Sequence, residues 1–350
     1  MGVLLFLLSL LVAVAGAGRY AVLATRTEAS TLPYYASSSE LNAYWQSVSP
    51  NIPIPLAILD HFSAPSGNER KDMEEEHYSS IHLDQLPKGD AKISHNWFRW
   101  VASEKLLYPE DVFTTAGSRI NLYIGRAAAL RSAFLRRDIA ESTPVTTKNF
   151  TDVVSMFAPA ASLSMARDMW STLHSCEHPS EVAGEQKACA ASVESMRDFA
   201  SWALGTGSLR AFSTSLDVPE EGISSPPHMY EVAVVRAVTT TLKGAEAEAN
   251  TTVTCHGMSF PFALFYCHAV NPTRIYEVTL WREEDGNAVV PATTPVTVRA
   301  LAVCHLNTSG FDPTLRYWVK LDRKPGETPV CHFLTRGDVL WVPAGASAAA

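Results

Sequence analysis

The period of the apolar positions changes four times along this chain. The opening run, Gly2 to Ala17, has no period at all: GVLLFLLSLLVAVAGA carries no charge before Arg19. It falls short of the roughly 20 residues that a membrane span needs. It closes on Ala15-Gly16-Ala17, a small-x-small pattern that signal peptidase accepts, and so predicts a secretory signal over residues 1–17. A short aromatic segment follows, residues 18–62. There Ser37-Ser38-Ser39 followed by Glu40 predicts a capped short helix broken by Pro53 and Pro55, with Tyr44 and Trp45 anchoring the segment on the domain. Residues 63–105 are polar, include Lys71-Asp72-Met73-Glu74-Glu75-Glu76, and read as a linker. From residue 106 to Pro343 the apolar pattern is continuous, and residues 344–350 form a tail.

Inside the continuous block the period is first helical. Met165, Met169 and Leu173 fall on one helix face; Val193, Met196, Ala200 and Ala203 fall on another. The connection holds Pro179 and Gly184 and is bounded by Cys176 and Cys189, which predicts a helical hairpin clipped by a disulfide worth about 3 kcal/mol. From Tyr230 the period is two. Tyr230, Val232, Val234 and Val238 share a face, with Arg236 as an interruption; Tyr276, Val278 and Leu280 share another. Val296, Val298, Ala300 and Ala302 lead into Cys304. Asp285-Gly286-Asn287 and Lys324-Pro325-Gly326 mark turns. The fold class is therefore α+β: a helical hairpin, then a mostly antiparallel β sandwich or barrel.

Composition narrows the function. A formal net charge of −8 with no basic run disfavours nucleic-acid and anionic-membrane partners. No G-x-S-x-G, P-loop or H-E-x-x-H pattern is present. Three sequons, at Asn149, Asn250 and Asn307, fit a secretory route. His174 and His178, which flank Cys176, read as solvated loop residues.

One pattern stands apart. Four of the 6 cysteines are followed by histidine, although only 11 of 350 residues are histidine: Cys255-His256, Cys267-His268, Cys304-His305 and Cys331-His332. Zinc sites use close pairs such as C-x₂₋₄-C, and these gaps do not match. In a thiol protease the nucleophile and its base are distant in sequence, because neighbours on a strand point to opposite faces. The same alternation supports a third reading. In an oxidising compartment the cysteines become disulfides, and four imidazoles on the opposite faces are left to converge. Imidazole suits Cu, Zn, Fe and Ni, with Cu(II) the strongest binder of the divalent series. Histidines that are merely hydrogen-bonded in the core or at the surface are the plainer alternative. With Cys176–Cys189 paired, three connectivities remain open for the other four cysteines.

The spacing CH, ten residues, CH, a longer gap, CH, 25 residues, CH, eight residues, Trp341 resembles the signature of the plant BURP domain. CEHPSEVAGEQKACAASVESMRDFA (Cys176 to Ala200), FPFALFYCH, AVCHLNTSGFDP and KPGETPVCHFL resemble the family's other blocks, and AYWQSVSPNIPIP resembles the segment after its signal peptide. Two departures stand out. The gap from His268 to Cys304 is 35 residues, longer than is usual there, and Leu315 replaces a histidine that follows the third pair in many members. The resemblance implies a secreted extracellular or cell-wall protein, or a vacuolar one, with a cell-wall polysaccharide or an extracellular protein as partner and no membrane span. Many members have no demonstrated reaction; one group serves as a non-catalytic subunit of polygalacturonase, whose long aromatic repeats are missing here. Another group comprises copper-dependent autocatalytic peptide cyclases that crosslink a Tyr or Trp of a core peptide, with His256, His268, His305 and His332 at the corresponding metal positions. This chain offers only single aromatic sites for that: Tyr34-Tyr35, Tyr44-Trp45, Tyr78, Trp97 and Trp100. The expectation is a non-catalytic interaction protein, with the copper cyclase as the alternative.

Expressed in a secretory host, the mature chain should begin after Ala17. N-terminal sequencing of the secreted protein checks this; an intact Met1 overturns it.

Overall fold

The computed structural model describes residues 34–62, 107–122, 132–158, 161–216 apart from 181 and 183, 228–240, 251–282 and 296–348. The signal run, residues 63–105, Asn250, Asp285-Gly286-Asn287, Tyr78, Trp97 and Trp100 lie outside them. The first described helix, α1 (Ser38–Val48), starts as its sequence predicts: Ser37 caps it and Glu40 closes a capping box. A one-turn helix α2 (Leu56–Leu59) follows Pro55. Short elements then lead inward: α3 (Asp111–Thr114), β1 (Arg119–Leu122), α4 (Arg137–Ser142) and α5 (Phe150–Phe157).

Helix α6 (Leu163–Glu177) buries Met169 and Leu173 as the stripe requires, and α7 (Val193–Leu204) buries Val193, Met196 and Ala200. They do not form a helical hairpin. Gln186–Ala190 between them is a strand, β2, paired antiparallel with a later strand, so the unit is helix–strand–helix. The two apolar stripes also enter different cores. Ala166, Met169 and Leu173 pack with Phe150, Phe260 and Phe262, whereas Val193, Met196 and Ala200 pack with Trp341, Phe265 and Cys267. The sequence signal for a loop, Pro179 and Gly184, covers only the first part of the connection; Lys187, Ala188 and Cys189 are extended and take their backbone partners from the sheet.

The strands are β3 (Leu209–Phe212), β4 (Ser215–Leu216), β5 (His228–Thr240), β6 (Val253–Gly257), β7 (Phe265–Ala269), β8 (Thr273–Arg282), β9 (Val296–His305), β10 (Val330–Phe333), β11 (Val339–Pro343) and β12 (Ala346–Ala348), with helix α8 (Arg316–Leu321) before β10. They form two antiparallel sheets. The larger runs β1-β5-β8-β9-β10, with β12 added to β5 and β4 to β9; the smaller runs β2-β7-β6-β11-β3. Alternation holds on β8 and β9, where Tyr276, Val278, Leu280, Val298, Ala300, Ala302 and Cys304 share one core. On β5 it breaks. A bulge between Val232 and Val234 shifts the pairing with β8, so Val235 joins Tyr230 and Val232 while Val238 turns to the other side. The interruption at Arg236 is this bulge.

The two sheets face each other. Val238, Ile275, Leu301 and Val303 of the larger sheet meet Leu340 and Val342 of β11 in one cluster. The outer face of the smaller sheet, Val253, Cys255, Phe265, Cys267 and Trp341, is covered by α7 and by the N-terminal segment through Leu41, Trp45, Ala57 and Ile58. Trp45 is fully buried 6.0 Å from Trp341, and its Nε1 donates to the Ile52 carbonyl at 2.8 Å. Asp60 adds a two-pronged ion pair with Arg336, both contacts 3.1 Å.

Trp45→Ala leaves a large cavity between α1 and β11 and should cost about 3–5 kcal/mol. A lower midpoint in urea unfolding followed by circular dichroism checks it; an unchanged midpoint overturns the anchoring role.

Candidate functional site: a four-histidine cluster between the sheets

Each CH pair straddles a strand, and alternation assigns the two side chains different work. Cys255 and Cys267 are directly opposite on β6 and β7, and Cys304 and Cys331 on β9 and β10. Both pairs are disulfides, with Cα separations of 3.9 Å; Cys176–Cys189 is the third bridge. Of the three connectivities open from sequence, the structure takes the one within adjacent strands. These four cysteines lie on the outward faces, Cys255 and Cys267 in the core under α7 and α1, and Cys304 and Cys331 in the core with Tyr108, Val112 and Phe333.

The histidines therefore point into the space between the sheets. Because the register sets His256 against Tyr266 and His268 against Thr254, the two rings sit diagonally on the inner face of the smaller sheet. His305 and His332 repeat this on the larger one, opposite Val330 and Val303. Ring centroids are 5.2 Å apart for His256–His268, 5.4 Å for His305–His332, 5.5 Å for His256–His332 and 5.8 Å for His268–His305. All four rings are at most 2% exposed. The sequence reading placed the four on one side of their strands; the structure adds that two sheets bring them into a single ring of imidazoles.

Each Nδ1 is addressed by an oxygen. His268 Nδ1 is 2.7 Å from Glu185 Oε1, and His256 Nδ1 is 3.2 Å from Asp338 Oδ1. His305 Nδ1 is 3.1 Å from the Val270 carbonyl and His332 Nδ1 3.3 Å from that of Phe333. Such contacts fix ring orientation and tautomer. His256 Nε2 and His268 Nε2 approach to 3.2 Å. Glu185 also accepts from Ser180 Oγ. Asp338 accepts from Thr335 N at 2.7 Å and Thr335 Oγ1 at 3.0 Å, which ties the turn between β10 and β11. That turn presses on β6: a Cβ on Gly257 would meet the Gly337 carbonyl at 2.9 Å.

Burial dominates the electrostatics. It holds His305 down at about 3, helped by the charge of His268 and opposed by the Val270 carbonyl. Burial, then repulsion from His305, His256 and His268, pushes His332 well below the ordinary range. His256 is also lowered by burial, although Asp338 works the other way. Burial alone would raise Glu185, but the hydrogen bond and charge of His268, with Ser180 and Lys187, outweigh it and hold the carboxyl below its usual range. The lowering at His256, His305 and His332 favours neutral rings, which keep a lone pair for ligation.

Glu185 and Asp338 were not picked out from sequence. The signal for Glu185 was its place in the Gly-Glu-x-Lys block; Asp338 carried none. His174 is not a loop residue: it lies on the last turn of α6, half-buried, with its ring stacked on His178 at 3.5 Å. Asn307 is exposed, and Asn149, half-buried, stands at the N-cap position of α5 without a side-chain capping bond. Leu315 is buried with Val270, Phe311 and Val330.

The family model of the BURP domain matches residues 107–343. The chain belongs to the BURP-domain family. BURP domain-containing protein 11 of Oryza sativa subsp. japonica is 39% identical over 223 residues, 60% of this chain and 67% of that protein. BURP domain protein RD22 of Arabidopsis thaliana is 35% identical over 211 residues, 60% of this chain and 48% of its own length. Protein RAFTIN 1A of Triticum aestivum is 33% identical over 225 residues, 64% of this chain and 52% of its own length. The match thus spans about half of the Arabidopsis and wheat relatives. No described helix of this BURP-domain chain is long and apolar enough to cross a membrane.

Four convergent imidazoles raise the question of a metal, and the donors answer part of it. Among the described residues no group of three or more His, Cys, Asp or Glu already stands as a metal site. The chemistry of the set nevertheless fits: four buried imidazoles, each with Nδ1 addressed from outside. Ligands held at about 2.0 Å in a tetrahedron sit about 3.3 Å apart, with ring centres about 5.2 Å apart. The observed Nε2–Nε2 approach of 3.2 Å between His256 and His268 matches, and the four spacings between neighbouring rings run from 5.2 to 5.8 Å.

Peptide mapping without reduction should return Cys176–Cys189, Cys255–Cys267 and Cys304–Cys331. Any crossed pair between the two CH hairpins overturns this placement of the histidines.

Proposed function

We propose that this chain is a secreted plant BURP-domain protein that holds a copper-class or zinc ion in its four-histidine cluster and turns over no substrate of its own. It acts outside the cell, or in the vacuole, by binding a cell-wall polysaccharide or an extracellular protein. The single observation that supports this reading is the burial of all four convergent rings at 1–2% exposure. Four protein ligands complete a tetrahedral shell, whereas catalytic sites keep a position open for substrate. When bound, the ion would supply a cross-link between the two sheets. His256 and His268 would hold it from one sheet and His305 and His332 from the other; Glu185 and Asp338 would hold protons on the two Nδ1 atoms that face them. One of the aromatic sites that a cyclase could use as its acceptor is also engaged: Trp45 is enclosed and Tyr44 packs against the same core.

The test is elemental analysis of the full secreted chain after exposure to Cu(II) or Zn(II) and removal of loose metal. About one ion per chain is expected, and His256→Ala with His332→Ala should abolish it. Metal at a hundredfold excess over Kd should add about 2.7 kcal/mol to unfolding stability. Retention of no metal overturns the reading. Loss of hydrogens from the intact mass on copper treatment would replace it by the peptide-cyclase reading.

A further inference from the structure

One support of the cluster is mounted differently from the others. Asp338 belongs to a tight turn, and the Val270 and Phe333 carbonyls belong to backbone at strand ends. Glu185 comes from the connection between α6 and β2, residues 178–185, and its second oxygen is held by Ser180 of the same stretch. This connection is closed at both ends by Cys176–Cys189, with a sequence separation of 13. Beside that bridge, Lys187 Nζ of β2 donates to the Ser175 carbonyl of α6 at 2.6 Å, and Cys189 packs against the core that holds Met169 and Leu173 of α6. Among the described strands, β2 lies at the sheet edge and pairs with β7. The bridge is also the exposed one. Cys176 and Cys189 are half-buried, whereas Cys255, Cys267, Cys304 and Cys331 are wholly enclosed at 0%. Thiol exchange depends on access to the sulfur.

We propose that Glu185 is a positioning residue of the four-histidine cluster and that Cys176–Cys189 is a redox-sensitive latch that keeps it on His268. The covalent step needs an external thiol. Its thiolate attacks one sulfur and forms a mixed disulfide, the other cysteine leaves as thiolate and takes up a proton, and a second thiol resolves the mixed disulfide. Two RSH become RSSR while two electrons and two protons pass to Cys176 and Cys189. With the bridge open, the connection loses its closure restraint and Glu185 its hold on His268 Nδ1. The His268 proton is then no longer fixed on Nδ1. With the proton on Nε2, the ring presents no lone pair toward His256. The consequence for metal rests on the metal-holding reading above; the latch itself does not.

The experiment uses the full secreted chain, titrated with a graded thiol reductant. Alkylation and mass spectrometry should show Cys176 and Cys189 reduced before the other four. In the metal-free protein, nitrogen NMR of the His268 ring should show the Nδ1–H tautomer when oxidised and a mixture once that bridge opens. Glu185→Ala should show the mixture without reductant, and reductant should then add nothing. Affinity for Cu(II), read against a chromophoric chelator, should fall about 10–100-fold in either case, without additivity. Reduction of Cys176–Cys189 that leaves the His268 tautomer unchanged overturns the latch, as does prior reduction of another bridge. A chain that takes up no metal would overturn the metal reading alone, because the tautomer still decides the latch.

Discussion

The structure depends on one constraint: neighbouring residues on a strand face opposite ways, and the cysteines decide which way. Cys255 opposite Cys267, and Cys304 opposite Cys331, are bridged across directly facing positions. A one-residue slip of either pair would turn every side chain to the other face and would separate the sulfurs. The bridges therefore set register, and register sets the histidines. Four imidazoles converge because two hairpins, each fixed in this way, belong to sheets that face one another. The disulfides and the histidines are one device: the first face is spent on covalent order so that the second can carry a polar cluster through an otherwise apolar interior.

Such a cluster is costly to bury unless its polar atoms are met. Taking imidazoles and carboxylates out of water costs several kcal/mol when they are unpaired. Here the Nδ1 atoms face two carboxylates and two backbone carbonyls. Both carboxylates come from connections rather than strands, and each connection is tied down separately. The Asp338 turn is gripped by its own Thr335, by close packing against Gly257, and by the Asp60–Arg336 ion pair from the N-terminal segment. Trp45 on Trp341 holds the strand that follows. The segment at residues 34–62 is thus coupled through β10 and β11 to His256 and His332, although it lies on the far side of the smaller sheet.

Sequence made visible whatever depends on local period or on the compartment. The stripes of α6 and α7, the faces of β8 and β9, the capping box at Ser37 and the split of each CH pair follow from side-chain spacing and an oxidising environment. Features set by partners far along the chain stayed out of reach. Nothing local in Gln186-Lys187-Ala188 separates an edge strand from a loop; the pairing with β7 does. The β5 bulge appeared only as the interruption at Arg236. Asp338 is an ordinary acidic residue near a turn until His256, 82 positions earlier, is set 3.2 Å from it.

The departure at residue 315 bears on what kind of site this is. Leu315 stands where many members have a histidine, and it lies with Val270, Phe311 and Val330 in an apolar cluster. That cluster adjoins the site: the Val270 carbonyl meets His305 Nδ1, and the Phe311 ring is 6.0 Å from that of His305. An imidazole there would bring a fifth nitrogen and its hydration toward the edge of the cluster. A leucine brings neither, and it packs against groups that already shield His305. The side of the site nearest His305 is therefore closed by hydrocarbon, while the opposite side, around His256, is closed by the Asp338 turn. The proposed ion-holding role draws on this enclosure, since on these two sides a peptide would have to displace either Leu315 with Phe311 or the turn that Arg336 and Asp60 clamp.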